Sequence, residues 1–162
     1  MSAQSTTVVL PARAAGLARL TGLAGILGGI LLIITAAAVW ITVSTELRAE
    51  NIVIPDDAIA FQGKVVDGPI DALIQAEIIR EHALDASDGK TYAELDREDP
   101  LRATVMNASF LRTSLFTSVV SFGVALLAAG VGVLFILFGL SLRAVVPSPR
   151  KAAAPVAPAT DV

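Results

Sequence analysis

Two long uncharged runs dominate the hydrophobic pattern of this chain. Thirty consecutive residues, 113–142, carry no charged side chain, and neither do the 26 residues 20–45. A helix needs about 20 predominantly apolar residues to cross the hydrocarbon core of a bilayer. A soluble domain of this size has no interior that could surround two such helices on all sides. The pattern therefore predicts two transmembrane helices.

The polar segment between the two runs has a helical period in its middle. Apolar residues recur there at the spacing of one helix face: Ile70, Leu73, Ile74 and Ile78. Because Asp67 or Gly68 can cap a helix and proline suits the first turn, we predict a helix from Pro69 that ends near Gly89. The polar residues of this helix should lie largely away from the apolar face: Asp71, Gln75 and Glu81.

Short β-branched stretches precede that helix, at 51–55 and 60–66. Each has the composition of a brief strand, but two strands alone are marginally stable, so brief strands and extended linker both stay open. Further along, Thr91 and Glu94 have the spacing of a capping box, which predicts a turn of helix from Tyr92.

A second helix start lies before the second uncharged run. Asp99 supplies a capping carboxylate and Pro100 suits the first helical position, so we predict one unbroken helix from about Pro100 to Leu142. Its first turns should pack on the helix of the insert through an apolar stripe: Leu101, Val105, Ala108 and Phe110. We expect Val105→Asp to loosen that packing and Arg102→Ala to leave it intact.

The predicted fold class is mainly α: a two-helix transmembrane hairpin with a small, mostly helical extracytoplasmic insert. The segments are a cytoplasmic tail at 1–19, transmembrane helix 1 at 20–45, the insert at 46–112, transmembrane helix 2 at 113–142 and a disordered cytoplasmic tail at 143–162. A cleaved signal peptide is the alternative for the first run, which exceeds the apolar core of about 7 to 15 residues found in such peptides.

Orientation in the membrane follows from the basic residues near the spans. Five Lys and Arg residues lie near the spans on each side, so their number does not decide the orientation. Arg13 and Arg19 precede the first helix with no acid nearby, and that helix usually sets the topology. We therefore expect both termini in the cytoplasm.

Charge is concentrated in the insert. Residues 46–112 hold 14 acids and 7 bases, a net charge of −7, and no basic patch carries interleaved aromatics, so nucleic acid is not an expected partner.

The chain has no cysteine, which excludes disulfides, thiolate metal sites and a cysteine nucleophile. The uncharged runs hold no ionisable residue of the kind that marks a proton relay, which argues against a pump.

His82 is the single histidine and lies in helical spacing with Glu77, Glu81 and Asp85. A metal site would need several of these side chains to converge, whereas a solvated acidic face explains the same pattern. We predict no catalytic, cofactor-binding or metal-binding residue and no cofactor.

Small residues are the most informative feature of the two runs. Gly25 and Gly29 form a GxxxG pair, and Ala128 stands four residues before Gly132, which is followed seven residues later by Gly139. Such positions let helix backbones approach closely. We predict helix packing at these five residues, either between the two spans of one chain or between chains.

The stretch GKTYAELDRED at 89–99, joined to the second run, resembles a group of actinobacterial two-span membrane proteins of unknown function. The likeness runs from about Gly22 to Arg143 and implies a cell-membrane protein without established catalytic residues. Some members carry the label aromatic ring-opening dioxygenase. A two-histidine, one-carboxylate iron site needs two histidines, whereas this chain has only His82.

We therefore predict a non-enzymatic accessory or scaffolding subunit that contacts the lipid bilayer and either another membrane protein or further copies of itself. Two alternatives stay open: an extracytoplasmic module that senses a ligand or cation, and a small homo-oligomeric pore.

Overall fold

The structure, a computed structural model, describes residues 11–146. This part of the chain contains three helices: α1 (Ala12–Ala49), α2 (Pro69–Ala86) and α3 (Arg102–Val145). It contains no strand, and one isolated antiparallel bridge joins Val53 to Val65. The mainly helical class is therefore confirmed for the described residues.

α1 and α3 are long and apolar enough to cross a membrane over Arg13–Ala49 and Arg102–Val145. In the most apolar stretch of each helix only 11% and 17% of the residues are buried. Residues 12–19, assigned above to a tail, are helical in α1. Residues 143–145 of the predicted disordered tail are likewise helical in α3. The rest of the two predicted tails, 1–10 and 147–162, lies outside the described residues.

α3 is one unbroken helix, as the sequence predicted, although it begins two residues later than expected. The Asp99 carboxylate accepts a hydrogen bond from the backbone N–H of Leu101 at 2.8 Å, so this side chain caps the turn that leads into the helix.

Contacts divide the chain into two units: Met1–Ile33 with Gly130–Val162, and Ile34–Ala129. In the first unit, α1 and α3 run antiparallel, because Gly22 lies beside Gly139 and Gly29 beside Gly132.

The second unit has its own apolar core, which joins the helices to the segments before α2. Its buried members are Leu47, Ile54, Ala58, Val66, Ala72, Ala76, Ile78, Leu115 and Phe122. The Trp40 ring meets Phe122 edge-on with the ring centroids 4.6 Å apart. The two β-branched stretches pair only around the bridge, where the Val66 N–H donates to the Ile52 carbonyl at 2.9 Å. They do not extend into strands.

α2 begins and ends where local chemistry predicts. Gly68 is the N-cap and proline occupies the first turn. After Ala86 the chain turns through Gly89, whose φ of +79° suits glycine and whose N–H donates to the Leu84 carbonyl at 2.8 Å.

The predicted buried face of α2 is partly wrong. Asp71 and Gln75 are buried, whereas Ile70 and Leu73 are 60% and 42% exposed. Ala72, the neighbour of Asp71, is fully buried, and its small side chain lets the α2 backbone approach the core closely. α2 therefore contacts the core through Ala72, Ala76 and Ile78, and not through Ile70 and Leu73.

The predicted stripe at the start of α3 is also partly wrong. Val105 is buried at 4% exposure, but Phe110 is 63% exposed and Leu101 is exposed as well. Five residues of helix turn the chain by about 140° beyond a full circle, so Phe110 cannot share a face with Val105. The buried line continues instead to Leu115 and Phe122.

Candidate functional site

Direct backbone contact between α1 and α3 is the most specific feature of the first unit. A Cβ atom added at Gly132 would lie 2.7 Å from the Gly29 carbonyl oxygen, and one added at Gly22 would lie 2.8 Å from the Gly139 carbonyl oxygen. No side chain fits at such distances. The glycines therefore let the two backbones pack against each other, as small residues do in membrane helices.

The five small residues singled out from the sequence occupy different environments. Gly29, Gly132 and Gly139 are buried, whereas Gly25 and Ala128 are half-buried. A Cβ at Gly25 would lie 3.2 Å from the Phe135 carbonyl oxygen, which is a tight contact. Four of the five thus lie where α1 and α3 approach closely.

Gly22 also lies in this contact, although it is not among the five residues predicted for helix packing. It stands seven residues before Gly29, and Ala36 follows at the same interval, so α1 carries small residues at the seven-residue spacing noted in α3. That interval returns to the same side of a helix that packs along a partner. The seven-residue spacing of small residues in α1 therefore predicts Gly22, whereas the GxxxG pair indicates only a four-residue spacing.

Hydroxyl groups of α3 bond within the helix. Thr117 donates to the Thr113 carbonyl and Ser121 to the Thr117 carbonyl, each at 2.8 Å. A hydroxyl paired in this way lies in an apolar environment at little cost.

A buried carboxylate organises the start of α2. Asp71 is 2% exposed and accepts hydrogen bonds from the Gly68 and Ala72 backbone N–H groups at 2.8 and 2.9 Å. Lys64 reaches the same carboxylate at 2.6 Å. Asp71 therefore fastens the preceding segment to the helix N-terminus, where a negative charge is favourable.

Asp67 lies beside this carboxylate and joins the insert to the end of α1. Lys64 lies 2.9 Å from one Asp67 oxygen and Arg48 lies 2.7 Å from the other. Hydrogen bonds from Lys64 and then from Arg48 lower the pKa of Asp67 to about 2, and the two carboxylates raise the pKa of Lys64. These ion pairs connect the segment before α2 to the end of α1.

His82 is paired with one carboxylate outside its own helix. Its Nε2 atom lies 2.7 Å from Asp57, and both side chains are exposed. This hydrogen bond lowers the pKa of Asp57. Glu77 pairs with Arg80 instead of turning towards His82. Within residues 11–146, no three His, Asp or Glu side chains are placed to hold a metal ion.

Arg102 stabilises the turn around Tyr92, which the sequence predicted only from the spacing of Thr91 and Glu94. Its guanidinium donates to the Leu95 carbonyl at 2.5 Å and lies 4.1 Å from the centre of the Tyr92 ring. Glu94 accepts the Thr91 N–H at 2.8 Å, so the predicted capping contact is present, although the residues form a turn and not a helix. We therefore replace the expectation that Arg102→Ala is silent with a measurable loss of order in this turn.

Two concave regions lie between α2 and α3. A cavity of about 120 Å³ is lined by Arg80, Tyr92 and Arg112 among others. An open groove of about 350 Å³ includes His82 and Asn107. Small-molecule sites usually enclose about 300 to 1,000 Å³ and bury most of the ligand. The cavity is small for such a role, and the larger groove is open to its surroundings.

Comparison of the chain with protein-family models, curated proteins and solved structures returned no match. The resemblance to actinobacterial two-span proteins stays a prediction from the sequence.

Proposed function

We propose that this chain is a two-span integral protein of the cell membrane, in which α1 and α3 form a transmembrane hairpin around the insert 46–112. The observation that carries the proposal is the apolar surface of both helices. Leu20, Leu27 and Leu126 are all more than half exposed, in stretches that hold no charged residue. In water such a surface would promote aggregation, whereas lipid covers it without cost.

The orientation is part of the same proposal. Arg13 and Arg19 precede the first span without an acid nearby, which favours the cytoplasm for residues 1–19 and the outer side for the insert. The resemblance to actinobacterial membrane proteins supports the cell membrane as its location.

Within the membrane the chain acts as a non-enzymatic accessory or scaffolding subunit. The buried or paired charges that organise the insert, at Asp71, Asp67 and Lys64, are occupied by contacts within the insert. Ile59, by contrast, is 90% exposed on the loop before the bridge residue Val65. Ile59 is therefore our candidate for the side chain that contacts a partner protein.

The alternatives have weaker support. A ligand sensor needs a pocket that surrounds its ligand, whereas the cavity of about 120 Å³ is small and the groove of about 350 Å³ is open. A homo-oligomeric pore needs contact faces between chains, whereas Gly29 and Gly132 already face each other within one chain.

The test is affinity purification of tagged full-length protein in mild detergent, with mass spectrometry of the proteins that accompany it. We expect a reproducible partner that is lost with Ile59→Asp and retained with Asp56→Asn, an exposed change on the same loop. Recovery of the chain alone or only with further copies of itself would contradict the accessory role.

A further inference from the structure

The exposed face of α2 changes character along the length of the helix. Ile70 and Leu73, among its first five residues, are 60% and 42% exposed. The exposed residues of the following turns include three acids, with His82 and Ala86 beside them: Glu77, Glu81 and Asp85. The helix is therefore apolar at its beginning and charged further on, whereas a surface helix in water is normally polar on its whole exposed face.

The apolar end of α2 points towards the uncharged run of α3. The Arg112 Nε atom donates to the Ala76 carbonyl at 3.2 Å, and Ala86, ten residues later in α2, lines a groove with Thr104 of α3. The two helices are thus antiparallel. At about 1.5 Å per residue, Leu73 and Ile70 lie about 5 and 9 Å beyond Ala76 in the direction that α3 takes into its uncharged run.

Phe61 extends the same apolar surface. It is 44% exposed, and the Lys64 Nζ atom lies 5.4 Å from the centre of its ring and 2.6 Å from Asp71, the neighbour of Ile70. We call Phe61, Ile70 and Leu73 the apolar shelf. Lys64 and Arg48 lie at its rim, both paired with Asp67 but still 43% and 66% exposed, and exposed cations at this level suit anionic or zwitterionic headgroups.

We propose that the apolar shelf inserts into the boundary between headgroups and acyl chains on the side of the insert, so that the insert docks on the bilayer surface. This inference rests on the proposed two-span insertion. The headgroup region adds about 5 to 8 Å on each side of the hydrocarbon core. Interfacial helices bury their apolar face about 5 to 10 Å into that boundary, a depth that matches the reach of the shelf beyond Ala76.

Lipid is favoured over a protein partner because the shelf continues a surface that lipid already covers. Leu115 and Phe122 of α3 belong to the same core as Ala72 and Ala76 of α2, so the start of α2 lies beside the uncharged run itself. A partner protein on the shelf would have to displace lipid there.

The absence of cysteine makes the test direct, since single cysteines can carry a nitroxide label without background. Full-length protein with Ile70→Cys or Leu73→Cys is labelled and placed in vesicles of phosphatidylcholine and phosphatidylglycerol. Power saturation then compares collisions with oxygen and with an aqueous nickel chelate. Glu81→Cys, exposed on the same helix, is the aqueous control, and Val120→Cys, 63% exposed in the span, is the lipid control.

We expect labels at Ile70 and Leu73 to favour oxygen over nickel, as Val120 does, and Glu81 to show the reverse. Shelf labels that favour nickel while Val120 favours oxygen would overturn the docking and leave the two-span proposal standing. A Val120 label that favours nickel would overturn both. Spin–spin broadening at the shelf that disappears on dilution with unlabelled protein would also overturn the docking of the shelf on lipid, because a second copy of the chain would then cover the shelf. Phe61→Cys provides an independent third position.

Discussion

Replacing Gly29 with alanine tests the backbone contact of α1 and α3 against a control one residue away. A Cβ at Gly29 would clash with the Gly132 carbonyl oxygen and lie 2.8 Å from the Cγ1 atom of Ile136. A Cβ at Gly28 would have no atom within 4 Å. The two variants add the same methyl group to neighbouring positions of one helix, so only the contact differs.

The contacts at the two positions predict a difference in the free energy of unfolding between the two variants. Alanine is more favourable than glycine in a helix interior by about 0.5 to 1 kcal/mol, which Gly28→Ala should gain in full. Overpacking a tight contact costs about 1 to 3 kcal/mol. Gly29→Ala has the same gain in helix stability, but this cost is subtracted from it. We therefore expect Gly28→Ala to stabilise the protein and Gly29→Ala to fall about 1 to 3 kcal/mol below it.

The assay is reversible unfolding in mixed micelles with increasing dodecyl sulfate, followed by circular dichroism. A second matched pair in α3 is Gly132→Ala with Gly130→Ala, since a Cβ at Gly130 also has no atom within 4 Å. Equal free energies of unfolding for the two members of each pair would refute the contact.

Three further predictions follow from the insert. Val105 is 4% exposed, so Val105→Asp would bury a charge and should raise the protease sensitivity of the insert several-fold. Thr104→Asp, on the exposed side of the same helix, should not. The pKa of Asp67, lowered to about 2 by Lys64 and Arg48 from its usual 3.8, means that its contribution to stability is complete above about pH 4 and is lost as the pH falls towards 2. Asp67→Asn should abolish that part of the acid sensitivity in pH-dependent proteolysis. Finally, purified protein should bind no stoichiometric iron by metal analysis, and His82→Ala should leave its thermal stability nearly unchanged; tight iron binding lost in this variant would contradict the prediction.

Helix ends were predictable because they depend on neighbouring residues. Pro69 starts α2, Gly89 follows its end and Asp99 caps the turn before α3, each through contacts within a few residues. The uncharged runs were equally clear, since 30 residues without a charge leave few structural alternatives.

The buried faces were less predictable because they depend on residues that are distant in sequence. Hydropathy places Ile70 inside and Asp71 outside, but Lys64 and backbone N–H groups satisfy the buried carboxylate. An apolar stripe predicts contact with something apolar without showing whether that is protein or lipid. The pairing of Gly22 with Gly139 likewise depends on the register between two helices that lie more than 50 residues apart in the chain.

The central claim, two membrane spans with the insert outside, is tested most directly by labelling single cysteines in intact cells with a membrane-impermeant thiol reagent. Suitable sites are Ser5, Ala153 and Glu81, which is exposed on α2. We predict that Glu81→Cys reacts in intact cells, while Ser5→Cys and Ala153→Cys react only after lysis. Reaction of Ser5→Cys and Ala153→Cys alone would reverse the orientation, and reaction of only one of these two would contradict a two-span protein.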